Sequence, residues 1–461
     1  MRSTPPLLAL ALLAAGSASA PALAQPAPDA AAALPASLDD ATRRDVVDTM
    51  GARLRRHYVD ADTGRLIAEH LQGRLRAGAY DTVTSPLRFA ELLTTDLQAV
   101  NGDRHLYVRY NPANPGQRPG PDGIRMFGPP NGQPNGPARG GPTRGVDDGA
   151  RRSHYGLGRV DVLPGNVGYL DVRGFAGDPA VEGVMVAALT YLAGTDAVIV
   201  DLRRNGGGSA QAVNFLLSHF TTADTVASLT VRNRSGNESF TRYTLPSVPG
   251  PRRPDVPLYV LTSGLTASAG EDFAFVLQNL KRATLIGATT AGAGHNNATL
   301  DVGHGFGTSI SFSRVSDPRT GREWERVGVR PDVAVDQARA LDAAHALALG
   351  AIAARETDPA RRQVLALTKE TIEAQAAPRA VPAAMLGTFA GSYDGGRTVS
   401  LDDGRLGYSP RPGAPPEPLV ALGEATFGMG ATRLTFERDG DRVTRLRITL
   451  PTGEALTYPR R

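Results

Sequence analysis

Residues 257–287 read PLYVLTSGLTASAGEDFAFVLQNLKRATLIG. Pro257–Thr262 is a short apolar run rich in β-branched and aromatic residues, which predicts a buried strand. A loop of small residues follows, and Ser268–Leu280 has the apolar spacing of a helix. Thr284–Gly287 then reads as a second strand. Strand, helix and strand in this order form a βαβ unit, whose strands lie parallel in a sheet covered by helices.

The pattern repeats upstream. Val167–Val172 reads as a strand, Pro179–Leu192 as a helix and Ala197–Leu202 as a strand that is apolar until Asp201. A glycine turn and a helix from about Ala210 to Phe220 come next. Ile310–Arg314 and Val327–Val335 add strands. Residues 153–336 are therefore expected to form an α/β core with a parallel or mixed sheet.

The flanks read differently. Val46, Val47, Met50, Leu54 and Tyr58 recur at helical spacing, as do Leu66, Ile67, Leu71 and Leu75, then Phe89, Leu92, Leu93 and Leu97. This predicts an N-terminal helical bundle over 38–110. Residues 111–152 are dense in Pro, Gly and Arg with few apolar residues, and are expected to be a disordered insertion. Residues 337–383 read as a helical connector, with an alanine-rich helical stretch over Leu341–Ala376. Residues 384–461 switch to short alternating strands with Gly and Asp-Gly turns, at Thr398–Leu401, Leu434–Glu437, Val443–Leu450 and Ala455–Tyr458. They predict a small all-β domain.

The N-terminus reads as an address. Met1-Arg2, a short apolar stretch and Ala22-Leu23-Ala24 match a secretory signal peptide, residues 1–24, cleaved after Ala24. Residues 25–37 are an Ala/Pro-rich flexible lead-in. A periplasmic or secreted location follows as an expectation. No later window holds 18 unbroken apolar residues, so no stable membrane anchor is expected.

Composition narrows the chemistry. The chain has 461 residues, 41% hydrophobic and 21% charged, enough for a folded body of several domains. It contains no cysteine, which excludes disulfides, thiolate metal sites, iron–sulfur clusters and a cysteine nucleophile. A net charge of +4 over this length, without a basic run, gives no nucleic-acid surface. The lysines are Lys281 and Lys369, which leaves few candidates for a catalytic lysine.

Four segments carry candidate chemistry. In Leu261–Glu271, Ser268 stands where a buried strand passes into a helix, so free backbone N–H groups lie beside it and can stabilise an oxyanion. Serine at such junctions also serves simply as a cap. In Asp201-Leu202-Arg203-Arg204-Asn205-Gly206-Gly207-Gly208, three glycines let the backbone approach a ligand closely, without the spacing of a phosphate loop. Asn101-Gly102-Asp103-Arg104-His105-Leu106 puts a histidine in a polar turn, a candidate base or an ordinary surface residue. Asp317–Asp332 holds the single tryptophan and Glu325, which can orient a histidine, bind a substrate amine or sit in a salt-bridged hairpin.

Together these segments resemble the tail-specific, or C-terminal-processing, serine peptidase family, whose core is related to crotonase and Clp-protease folds. The resemblance covers about residues 158–335, with a weaker match through the helices to His105. It implies Ser268 as nucleophile, with the N–H of Ala269 and that of Gly206 or Gly207 as the oxyanion hole. The lysine-type branch keeps its base some two dozen residues after the serine. Here that stretch is Thr290-Ala291-Gly292-Ala293-Gly294-His295, with no lysine. The chain is therefore more similar to the branch of the tricorn core protease and the interphotoreceptor retinoid-binding protein repeats. That likeness implies His105 as base and Glu325 as its orienting carboxylate; His295 is the reserve base, in the glycine-rich loop where the lysine-type enzymes keep theirs. Asp103 lies near the place of a second polar helper. Arg104 replaces the serine that precedes the histidine in tricorn-like members, which leaves the tuning of His105 open.

The expectation is an exported serine-type endopeptidase that acts on peptide or protein substrates through an acyl-enzyme, without cofactor or metal. The alternative is a non-catalytic peptide- or lipid-binding protein on the same scaffold, since fold alone does not settle function. Acyl-CoA chemistry of the crotonase type fits poorly with an export signal. A homo-oligomer is left open.

Overall fold

The computed structural model describes residues 38–111, 148–234 and 238–461. The expected signal peptide, the lead-in and most of the expected insertion lie outside these residues. The end of that insertion does not: Asp148–Arg152 forms a short helix, α4.

Three helices open the described chain: α1 (Asp40–His57), α2 (Ala61–Arg76) and α3 (Pro86–Ala99). Each starts on a capping side chain, Asp39, Asp60 and Ser85, that accepts a hydrogen bond from a backbone N–H of the first turn. Their apolar faces do not close on one another alone. Tyr107–Tyr110 forms strand β1, and the helices pack against a sheet through Phe89, Leu93, Leu106, Leu300, Phe306 and Ile310.

The central sheet is built from β2 (Leu157–Leu163), β3 (Val167–Val172), β4 (Ala197–Asp201), β7 (Leu258–Thr262), β8 (Thr284–Gly287) and β11 (Val333–Ala334), in the order β11-β8-β7-β4-β3-β2. The hairpin pair β2–β3 is antiparallel and the remaining pairs are parallel. Helices α5 (Ala180–Tyr191), α6 (Ala210–Ser218) and α7 (Ala269–Asn279) cover one face, against Leu170, Val200 and Val260. Helix α8 (Ala340–Arg355) covers the other, against Tyr169, Ile199 and Leu261. Alternate residues of each strand serve the two cores, so every residue of β3, β4 and β7 is buried.

A second, antiparallel sheet joins β1 to β10 (Phe306–Ser316), β5 (Ala227–Asn233) and β6 (Ser239–Tyr243), with β9 (Asn296–Gly303) also paired to β10. This sheet links the N-terminal helices to the α/β core. Of its strands, the sequence pattern marked only part of β10.

The expected strand over Val327–Val335 shrinks to Val333–Ala334. Its earlier backbone groups are taken elsewhere: Val329 N–H donates to Thr290 Oγ1 (2.7 Å) and Gly328 N–H to the Trp324 carbonyl (2.9 Å). The alanine-rich stretch also divides. Asp358 caps a new helix, α9 (Pro359–Ala376), with Pro359 in its first turn, where a missing N–H costs nothing.

After α10 (Ala383–Phe389) come β12 (Gly391–Tyr393), β13 (Arg397–Asp402), β14 (Arg405–Ser409) and β15 (Glu417–Pro418), which form one small sheet. A second holds β16 (Val420–Ala421), β17 (Thr426–Met429), β18 (Thr432–Asp439), β19 (Arg442–Thr449) and β20 (Ala455–Pro459). Phe389, Tyr393, Phe427 and Phe436 give this all-β unit its own core.

Candidate active site

The loops that leave the carboxyl ends of β4 and β7 are laced together. Ser263 Oγ donates to the Arg203 carbonyl (2.6 Å), Thr266 Oγ1 to the Leu202 carbonyl (2.8 Å) and Ala267 N–H to the Asn205 carbonyl (2.9 Å). Ser268 then takes φ 52°, ψ −117°, a conformation that L-residues rarely hold, and α7 begins at the next residue. Such strain persists only where neighbours impose it.

Asn205 is fully buried and fixes the glycine turn. Its Nδ2 donates to the Val172 carbonyl (2.9 Å), and its Oδ1 accepts from Gly207 N–H (2.8 Å). Gly207 lies against the serine: a Cβ on it would stand 2.8 Å from Ser268 Cβ and 3.2 Å from Ala269 N. Of the two glycines expected to supply an oxyanion donor, Gly207 has therefore committed its N–H to Asn205. The N–H groups of Gly206 and Ala269 have no hydrogen-bond partner among the described residues. The N-terminus of α7 adds a favourable potential for negative charge at this point.

Glu271 is the hub that the sequence reading quoted without giving it a role. It is fully buried and accepts four hydrogen bonds: from Ser268 N–H (2.9 Å), Thr290 Oγ1 (2.5 Å), Gly292 N–H (2.6 Å) and Ala293 N–H (2.8 Å). Burial pushes its carboxyl up, and these donors work against that shift by stabilising the anion. The signal was present: Ser268 with Glu271 three residues later is the spacing of a capping box. Glu271 extends that pattern by gripping the 290–293 loop as well.

That loop delivers His295. Its Nδ1 lies 3.5 Å from Asp103 Oδ2 and 3.8 Å from Glu325 Oε2. Glu325 Oε2 also accepts from Gly294 N–H (2.6 Å) and His295 N–H (3.1 Å), while Oε1 is buried without a partner. Asp103 is fully buried and accepts from the Tyr58 hydroxyl (2.9 Å) and from His105 N–H (2.8 Å).

Three segments far apart in the chain thus meet in one pocket of charge. Burial pushes Asp103 up, but its contacts to His295, Ser311 and His105 N–H outweigh that and hold it at about 2. Glu325 is raised, first by burial, with the Asp103 charge adding to it and His295 opposing. His105 is lowered, chiefly by burial, with His295 contributing.

His105 and Glu325 were expected to face each other. The structure instead sets Glu325 beside His295, and leaves His105 Nδ1 buried and unpartnered. Both histidines and both carboxylates gather in one cluster. Ser268 Oγ donates to neither imidazole among the described residues. Its tie to the cluster runs through Glu271 to Ala293, two residues before His295.

Residues 166–335 match the family model described as peptidase family S41. Residues 36–138 match that of the N-terminal domain of Peptidase S41 in eukaryotic IRBP. A carboxyl-terminal-processing protease of Synechocystis sp. is 32% identical over 178 residues, 38% of this chain and 40% of that protein. One of Picosynechococcus sp. is 29% identical over 171 residues, 37% of this chain and 39% of that protein. The chain thus spans about 40% of the length of these curated relatives. Among solved structures, the photosystem II D1 C-terminal processing protease superposes with a TM-score of 0.40 at 18% identity, over 64% of this chain and 93% of that one.

Proposed function

The chain belongs to peptidase family S41, and from that premise we propose that it is an exported serine-type endopeptidase using Ser268 as nucleophile. The observation that carries this reading is Ser268 itself. It is held at positive φ at the head of α7, against the Gly206–Gly207 turn, with Glu271 tying its backbone to the loop that ends in His295.

In this reading Ser268 Oγ attacks the scissile carbonyl, and the N–H groups of Ala269 and Gly206 receive the oxyanion. His295 takes the serine proton on Nε2, because its Nδ1 faces Asp103 and Glu325, which stabilise the imidazolium as it forms. The proton then passes to the leaving amine, and water hydrolyses the acyl-enzyme. A buried, neutral His105 packs behind Asp103 and keeps that carboxylate in place through its backbone N–H. The substrate is a peptide or protein. Export rests on the N-terminal reading, and among the described residues no helix is long and apolar enough to cross a membrane.

Labelling by a serine-reactive fluorophosphonate tests the proposal. Wild-type protein should label, and Ser268→Ala and His295→Ala should not. Retained labelling in Ser268→Ala would sink the assignment of the nucleophile. Labelling that survives His295→Ala but is lost in His105→Ala would return the base to His105.

A further inference from the structure

We propose that Asp103, His295 and Glu325 form a binding site for a divalent transition metal of the zinc type, and that metal there and proton transfer by His295 exclude each other. The second half of this inference rests on the peptidase reading above; the first does not.

The geometry is the starting point. One donor atom from each of the three residues lies within 4.8 Å of the other two. The Nδ1-to-oxygen separations of 3.5 and 3.8 Å are longer than a well-formed N–H···O hydrogen bond, which ends near 3.2 Å. They are close to the edge of a tetrahedron around zinc: bonds of about 2.0–2.1 Å put neighbouring ligands about 3.4 Å apart.

The bonding state agrees. His295 Nδ1 and Glu325 Oε1 are buried polar atoms without a partner. Groups of that kind are normally satisfied, because leaving them bare is costly. Neither Asp103 nor Glu325 has an arginine or lysine partner among the described residues, so two buried carboxylates share one imidazole. A divalent cation would supply the missing charge and use the bare lone pairs.

The surroundings are also those of ligands. The Tyr58 hydroxyl holds Asp103 Oδ2, and the N–H groups of Gly294 and His295 hold Glu325 Oε2. Hydrogen bonds to ligating carboxylates orient them and conserve the site's shape. One imidazole and two carboxylates, with a fourth position for water, form a donor set for zinc or a neighbouring transition metal.

The chemical consequence follows from the ring. Metal on Nδ1 uses that lone pair and leaves the proton on Nε2. Nε2 then has no lone pair with which to accept the Ser268 proton. Binding displaces any proton carried by Nδ1 or Glu325 to solvent, with no change of oxidation state.

The test uses the full chain carrying Ser268→Ala, stripped with a chelator, so that binding is read apart from catalysis. Zinc followed by calorimetry should bind at one equivalent per chain. Cobalt(II) should give the visible absorption of a four-coordinate site. His295→Gln and Glu325→Gln should each weaken zinc at least tenfold and abolish that absorption. His304→Gln, at the surface pair with Asp45, should change neither. Unchanged affinity in both site variants, or an absence of binding by the folded protein, would overturn the metal site. If circular dichroism shows that one variant is unfolded, the other carries the comparison. If both are unfolded, X-ray absorption of the zinc-loaded Ser268→Ala chain decides: an imidazole in the coordination shell supports the site and its absence overturns it. In wild-type protein, zinc should suppress fluorophosphonate labelling and chelation should restore it. Zinc bound with labelling unaffected would overturn the exclusion. A wild type that binds zinc but never labels would sink the peptidase reading and leave the metal site standing.

Discussion

Glu271 Oε2 accepts the backbone N–H of Ser268 at 2.9 Å, and the same carboxylate holds Thr290, Gly292 and Ala293. One buried side chain therefore sets both the strained conformation of the candidate nucleophile and the loop that leads to the candidate base. Positioning of this kind is where small displacements are felt most, since a shift of about 1 Å can cost about 10²-fold in rate.

Glu271→Gln should reduce the rate of fluorophosphonate labelling by about 10²-fold and destabilise the fold by roughly 1–3 kcal/mol. The amide would turn a donor towards groups that are all donors. Labelling kinetics set beside a denaturant titration check this. A rate unchanged at equal occupancy would show that the loop holds its place without the carboxylate.

Gly207→Ala and Gly208→Ala should separate site from fold. A Cβ at Gly207 (φ +108°) meets Ser268 Cβ at 2.8 Å, so labelling should fall by about 10²-fold while most of the protein stays folded. A Cβ at Gly208 (φ +134°) meets the Phe175 carbonyl oxygen at 2.0 Å, against main chain that cannot yield. The second variant should melt well below the first, and parallel thermal melts and labelling assays decide.

Asp201 gives a pH signature. It accepts from Arg203 Nη2 (2.6 Å) and Nε (2.9 Å) and from the Tyr169 hydroxyl (2.7 Å). Burial pushes its carboxyl up, and these bonds outweigh burial and hold it below its usual value. A carboxyl lower in the folded than in the unfolded chain stabilises the fold above the unfolded value, and that contribution is lost as pH falls through the folded one. Asp201→Asn should therefore cost about 2 kcal/mol at pH 7, with the gap from wild type narrowing below about pH 4. Urea titrations across that range measure it, and a gap independent of pH would contradict the assignment.

Tyr58→Phe removes the hydroxyl that donates to Asp103 and accepts from Asn101 Nδ2 (2.6 Å). Loss of a buried hydrogen bond should cost about 1–2 kcal/mol. It should also lower labelling by several-fold, because Asp103 loses one of its restraints. Stability reduced with labelling intact would place Tyr58 in the packing alone.

The N-terminal helices, the βαβ alternation and the candidate serine were legible because they depend on local spacing. Val46, Val47, Met50 and Leu54 repeat at the helical period, and Ala197–Val200 is an unbroken apolar run that ends at Asp201. Strands β5 and β6 were not legible, whereas β9 carries a readable alternation, Ala298, Leu300 and Val302 against Thr299 and Asp301, that the sequence analysis did not use. Much of β5 and β6 is only half-buried, and residues such as Ser239–Tyr243 carry neither a continuous apolar run nor strict alternation.

The amino-acid order by itself determined the βαβ alternation of the core, and that a serine would stand between a buried strand and a helix. Only the tertiary structure decided that Glu325 meets His295 and not His105, that Asp103 joins them, and that Gly207 gives its N–H to Asn205. The reason is physical. Periodicity records how a residue relates to neighbours a few positions away, whereas Asp103, His295 and Glu325 meet because β1 and β9 both pair with β10, and a bound loop carries Glu325 back to Gly294. Contacts of that range are set by packing and hydrogen-bond accounting across the whole fold, and no local pattern encodes them.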